Sequence, residues 1–212
     1  MNDSDKDNII NRYRNRLQQF GPGIKSLASG TVERRNIRFG LLSNVGELEG
    51  ATILDIGSGL GDFYQYLKDR KIKVDYTGYD LSPDLISIAK EKFPEATFEV
   101  RDIQAEGIAG RYDYIVSSQT FNFRLANEDN NELIKTCLKI SLESCNKGLC
   151  FDFITSYVDY REDHLFYYSP EELFTYAKSL TKRVSLSHES ELFEFALYMF
   201  PDFVSWNPDR NA

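Results

Sequence analysis

Three glycines at alternate positions, Gly57, Gly59 and Gly61, follow an apolar run that ends in Asp55, with Ser58 between the first two. Glycine at this spacing lets the backbone turn without Cβ clashes and approach a bound ligand closely. The N–H groups that open a following helix add donors and positive potential. Such a loop cradles a polar ligand. Two further carboxylates, Asp80 and Asp102, each stand just after a strand-like run, where a carboxylate can accept hydrogen bonds from hydroxyl or amino groups. His164, one of two histidines, sits in an aromatic and charged stretch, and its ordinary pKa of roughly 6.5 suits a base working near neutrality.

Strands and helices must alternate to bring these residues together. Residues 51–56 read as a first strand and 63–69 as a helix. Residues 73–79 read as a second strand that delivers Asp80 and Leu81. Ser82 and Pro83 already supply an N-cap and a first-turn proline for the next helix, which leaves Asp80 free for a ligand. A third strand, 96–101, runs into Asp102 and Ile103. A fourth, 112–117, gives way to Ser118, Gln119 and Phe121 at the carboxyl edge of an inner strand, where open α/β sheets bind ligands. A helical period over 131–145, a fifth strand at 148–154 and a helix from Ser169 and Pro170 to about Leu180 follow. Two alternating runs, 181–187 and 192–200, read as a closing hairpin.

The glycine spacing separates two ligand classes. A dinucleotide fingerprint places its third glycine three residues after the second. Here Gly61 comes two after Gly59, and the next residue, Asp62, is a carboxylate that would sit badly beside a pyrophosphate. The run from Leu54 to Gly61 instead resembles the first motif of class I S-adenosylmethionine-dependent methyltransferases. The resemblance spans roughly residues 45–200 and is strongest to small bacterial enzymes acting on small molecules. It implies an α/β fold: a seven-stranded doubly wound sheet of order 3-2-1-4-5-7-6 with strand 7 antiparallel, behind an N-terminal helical lid. It implies S-adenosyl-L-methionine as cofactor, held by Asp55, Gly57, Ser58, Gly59 and Gly61, with Asp80 and Leu81 at the ribose. Asp102, the backbone of Ile103, and Ser118 would meet the rest of the ligand. On the acceptor side the expected residues are Gln119, Phe121, Tyr157 and Tyr167, with His164 or Tyr160 as catalytic base.

The expected domain is a single one over 1–212, with 1–45 as lid and 46–200 as core. In the lid, Tyr13, Arg14 and Arg38 are the residues to watch, since either arginine could receive the cofactor's carboxylate. A net charge of −8 disfavours nucleic acid as a partner. No apolar run reaches the length of a membrane span, and the first residues lack the parts of a signal peptide, so a cytoplasmic location is expected. Cys137, Cys145 and Cys150 lack the spacing of a zinc site, and no metal is expected. Transfer of a methyl group to an O or N atom of a small molecule is the first functional expectation. A non-catalytic relative that binds the cofactor as a regulatory module is the alternative, and a nicotinamide-dependent oxidoreductase is disfavoured by the glycine spacing. The acceptor's identity and the oligomeric state are not legible in the sequence.

Overall fold

The computed structural model describes residues 1–202; residues 203–212, the end of the expected domain span, lie outside the described residues. The elements run α1 (Asp3–Phe20), α2 (Val32–Ser43), β1 (Thr52–Ile56), α3 (Asp62–Asp69), β2 (Asp75–Asp80), α4 (Pro83–Lys92) and β3 (Thr97–Val100). They continue as α5 (Ile103–Glu106), β4 (Tyr112–Ser117), α6 (Asn130–Glu143), β5 (Cys145–Ile154), α7 (Pro170–Leu180), β6 (Arg183–Ser187) and β7 (Glu194–Phe200). The strands form one sheet in the order β3-β2-β1-β4-β5-β7-β6. All pairings are parallel except those of β7, which lies antiparallel to both β5 and β6.

Inner strands of such a sheet are covered on both faces, so their residues are apolar whichever way they point. Ile53 and Val116 face one core, with α2, α3 and α4; Leu54 and Ile115 face the other, with α6 and α7. Aromatic rings fill both cores. Phe151, Phe153, Phe195 and Tyr168 are buried in the second core, and each such ring stabilises the fold by about 1.5–3 kcal/mol.

The helix starts follow their local chemistry. The Ser82 hydroxyl accepts from Leu85 N with Pro83 next in line, and the Ser169 hydroxyl accepts from Glu172 N ahead of Pro170. Gly61, left-handed at φ +75°, starts α3; a Cβ there would stand 2.8 Å from the Phe93 ring, so no larger residue fits the turn or the packing.

Two departures from the sequence expectations are local. β5 begins at Cys145 rather than 148, where the Arg111 guanidinium donates to Glu143 O and Cys145 O. Although the polar, arginine-rich run of the lid reads as a helix from Asp7 to Phe20, α1 begins at Asp3, with the Asn2 side chain accepting from Ser4 N as its cap. Asp5 is the buried residue of this polar helix. Its carboxylate accepts from Ala126 N (2.9 Å), Asn127 N (3.0 Å) and Asn127 Nδ2 (3.1 Å). Burial raises its pKa, but these donors outweigh it and hold the group ionised below the usual carboxylate range. The helix is thereby clasped across the carboxyl edge of the sheet. No helix among the described residues is long and apolar enough to cross a membrane.

Candidate functional site

A cavity opens where the chain reverses direction between β1 and β4, with the carboxyl ends of β1, β2 and β4 as its floor. Its roof comes from the N-terminal segment: Ile9 and Tyr13 of α1, Leu27 and Ser29, and Arg35, Arg38 and Phe39 of α2. Tyr13 stands close enough to Asp80 that burial and that carboxylate together push its phenol pKa up.

The glycine loop forms the first wall. Gly57, Gly59 and Gly61 all have left-handed φ values, +75°, +55° and +75°. Gly57 N and Ser58 N donate to Tyr79 O at 2.7 and 2.9 Å, which ties the loop to the end of β2. A Cβ at Gly57 would stand 2.0 Å from Thr120 Oγ1, and one at Gly59 would press on Leu27 of the roof at 3.2 Å. Beneath the loop, Asp55 is buried and accepts from Tyr76 Oη at 2.5 Å. Burial raises its pKa to about 7, with the Tyr76 bond opposing and the neighbouring Asp80, Asp152 and Asp62 adding to the rise.

Asp80 closes β2 and lines the cavity. Its Oδ2 accepts from Gly59 N and its Oδ1 from Ser82 N, both at 2.9 Å. Each carboxylate oxygen offers two lone-pair directions, so both retain capacity for a ligand. Leu81 lies beside it on the wall. Asp102 caps α5 by accepting from Gln104 N and Ala105 N, while its Oδ2 faces the Met1 amino group at 3.2 Å and Lys6 Nζ at 3.8 Å. Ile103 supplies an apolar surface next to it.

Ser118, Gln119 and Phe121 also line the cavity, and behind them stands a residue that sequence reasoning missed. Asp152 of β5, buried, accepts from Ser118 Oγ at 2.5 Å and from Gln119 N and Nε2 at 2.7 and 2.9 Å. These bonds hold Gln119 in a left-handed conformation, φ +59°, that a non-glycine residue adopts only when its surroundings fix it. Burial, with Glu194 nearby, raises the Asp152 pKa to about 6, against the pull of Arg38 and the three donors. An aspartate inside the apolar run of strand five was the available signal.

The long connection after β5 does not deliver what was expected of it. Among the described residues, His164, Tyr160, Tyr157 and Tyr167 do not line the cavity. The segment is pinned at both ends, by the Phe123–Leu165 and Thr155–Tyr168 bridges, and its middle is turned outward. Tyr160 is 73% exposed and Tyr157 61% exposed, with Tyr157 Oη donating to Glu171 at 2.5 Å. Tyr167 Oη accepts from Glu162 N, and His164 Nδ1 faces Glu162 at 3.5 Å on the surface. The structure therefore does not bring the residues expected as base, His164 and Tyr160, or as acceptor contacts, Tyr157 and Tyr167, to this cavity. Arg14 and Arg38 are also committed elsewhere. Arg14 pairs with Asp84 on the surface, and Arg38 is spent on Glu194 (2.7 and 2.8 Å) and Ser29 O (2.9 Å).

The cavity fits a nucleoside-bearing amino acid. The glycine backbone turns at the floor, Asp80 keeps acceptor capacity at the end of β2, and the buried Ser58 Oγ has no partner among the described residues.

Comparison with known proteins agrees with this geometry. A family described as a methyltransferase domain matches residues 53–141. A protein of Mycobacterium tuberculosis that carries a methyltransferase name, Rv1506c, is 35% identical over 151 residues, covering 69% of this chain and 90% of that one. Among solved structures, the magnesium protoporphyrin IX methyltransferase of Synechocystis PCC 6803 with bound SAH superposes with a TM-score of 0.64 at 14% identity, over 93% of this chain and 99% of that one. The N-methyltransferase NodS of Bradyrhizobium japonicum, in complex with S-adenosyl-L-homocysteine, gives 0.64 at 15%, over 90% and 98%.

Proposed function

The chain belongs to the class I S-adenosylmethionine-dependent methyltransferases, and on that premise we propose that it methylates an O or N atom of a small-molecule acceptor in the cytoplasm. The observation that carries the small-molecule reading is the roof. α1 and α2 close the cavity over the carboxyl edge of the sheet, leaving a slot rather than an open groove, and the net charge of −8 gives no field for a polyanion. The same reading takes the chain as one methyltransferase domain.

When bound, the cofactor supplies an electrophilic methyl group on a sulfonium. In this reading Asp80 holds the ribose hydroxyls, Asp102 and Ile103 meet the adenine, and the loop of Gly57, Ser58, Gly59 and Gly61 lies under the amino-acid end with Asp55 below. Gln119 and Phe121 shape the acceptor side. Positioning does most of the work in an in-line displacement. Where the acceptor carries a proton, Ser118 is placed to pass it along its bond to Asp152, whose pKa of about 6 leaves it ionised at neutrality.

Turnover of methyl-labelled cofactor on a fractionated cell extract tests the proposal. Label is expected in the fraction that passes a small-pore filter, and label confined to protein or nucleic acid would reject it.

A pH dependence follows from Asp55. Its carboxyl group, with a pKa raised to about 7, is largely neutral at pH 6 and ionised at pH 8. The cofactor carries a net positive charge, so ionised Asp55 favours it. Affinity is expected to rise several-fold between pH 6 and 8, with proton release on binding detectable by calorimetry in buffers of different ionisation enthalpy. A flat profile with no proton release would show that Asp55 does not face the ligand's charge.

A further inference from the structure

Ser118, Gln119 and Thr120 follow β4 and line the cavity as three consecutive polar residues, yet each of their side-chain donors is turned away from it. Ser118 Oγ donates to Asp152 Oδ2, Gln119 Nε2 to Asp152 Oδ1, and Thr120 Oγ1 to Ile56 O at 2.9 Å. Arg38 in the roof is spent on Glu194 and Ser29 O.

Asp152 imposes this polarity. An ionised carboxylate only accepts, so the Gln119 amide has to give it the NH2 branch and the Ser118 hydroxyl has to give it the proton. The Gln119 backbone N–H joins them at 2.7 Å and holds the residue in its left-handed turn. Gln119 Oε1, the other branch of the same planar amide, has no partner among the described residues, and Ser118 Oγ keeps its lone pairs. This wall therefore offers oxygens and no free hydrogen. Asp55, Asp62 and Asp80 elsewhere in the lining add negative charge. A carboxylate brings no hydrogen to such a wall and is repelled by its field, and a hydroxyl brings one hydrogen for two oxygens. A nitrogen with two hydrogens satisfies both oxygens and still carries a lone pair.

We propose that the methyl acceptor is a primary amine, whose two N–H groups are received by Gln119 Oε1 and Ser118 Oγ. The assignment rests on the small-molecule methyltransferase reading and decides between its O and N alternatives. The nitrogen lone pair attacks the methyl carbon. The C–N bond forms as the C–S bond breaks, and that electron pair stays on sulfur as a neutral thioether. The nitrogen, now positive, gives the proton that faces Ser118 to Oγ, while the serine's own proton crosses to Asp152 and from there to solvent.

The full chain, given cofactor with an isotope-labelled methyl group and the small-molecule fraction of a cell extract, tests it. The carbon resonance of the transferred methyl reports the atom that received it. Attachment to nitrogen is expected, and prior acylation of the primary amines in the extract should abolish transfer. Gln119→Met should lower the initial rate on that fraction by about tenfold or more, the worth of one hydrogen bond whose buried partner is lost. Its affinity for S-adenosylhomocysteine should stay within about twofold of the wild type. Asp152→Asn, which lets the Ser118 proton turn into the cavity, should slow transfer likewise and serves if the first variant fails to fold. A methyl found on oxygen or sulfur, or transfer that survives acylation, would overturn the assignment and leave the small-molecule reading standing. So would variants that bind S-adenosylhomocysteine and transfer at the wild-type rate. Label confined to protein or nucleic acid would instead reject that reading, and the assignment with it.

Discussion

Glu194→Ala should lower the free energy of unfolding by about 3–5 kcal/mol, one of the largest effects a single substitution can have on this protein. Arg38 is 5% exposed and Glu194 7%, and the two share hydrogen bonds of 2.7 and 2.8 Å. Removing the carboxylate leaves a guanidinium buried without its counter-charge, and nearby Asp152 is already occupied by Ser118 and Gln119. The pair itself is not the source of that figure, because its Coulomb gain is offset by the desolvation of both ions. The double variant Arg38→Met with Glu194→Leu should therefore recover most of the lost stability. Denaturant titration measures both. A single-variant loss below about 1 kcal/mol would mean that solvent reaches Arg38 when Glu194 is gone.

Asp80→Ala should weaken cofactor binding by about a hundredfold. Two hydrogen bonds from ribose hydroxyls to an ionised carboxylate are lost, each worth about 1.5–3 kcal/mol, and even one of them accounts for tenfold. The same carboxylate accepts from Gly59 N and Ser82 N, so part of the loss comes through a loosened glycine loop. Binding of S-adenosylhomocysteine and the thermal transition should be followed together. An unchanged dissociation constant with an intact transition would remove Asp80 from the ribose site.

The βα units and the glycine floor were legible because they depend on local signals, and the strand order through the resemblance carried by the run from Leu54 to Gly61. Alternating apolar runs and helical periods give the βα units, and only glycine tolerates the left-handed turns at 57, 59 and 61. The place of Asp80 on the cavity wall was legible because Ser82 and Pro83 had already claimed the capping role. Asp152 and Glu194 were not, because their partners are set by topology. Only when β7 inserts beside β5 does Glu194 come opposite Ile154, within reach of an arginine from α2. The course of the stretch 155–168 was not legible for a related reason. Its tyrosines and histidine suggested a pocket, but composition does not say which way a loop folds back. Tyr168 alone turns inward, and it is buried with Oη donating to Phe121 O.

The Arg38–Glu194 contact joins residues 156 apart in the chain, and it fastens the roof to the penultimate strand position of the sheet. Closing so long a loop costs chain entropy that is repaid only when β7 is in place. During synthesis the floor residues emerge long before β7, and until β7 forms α1 is held through Asp5 while Arg38 of α2 lacks its carboxylate. A chain that has not yet made β7 therefore has its roof over the glycine loop without the Arg38–Glu194 fastening.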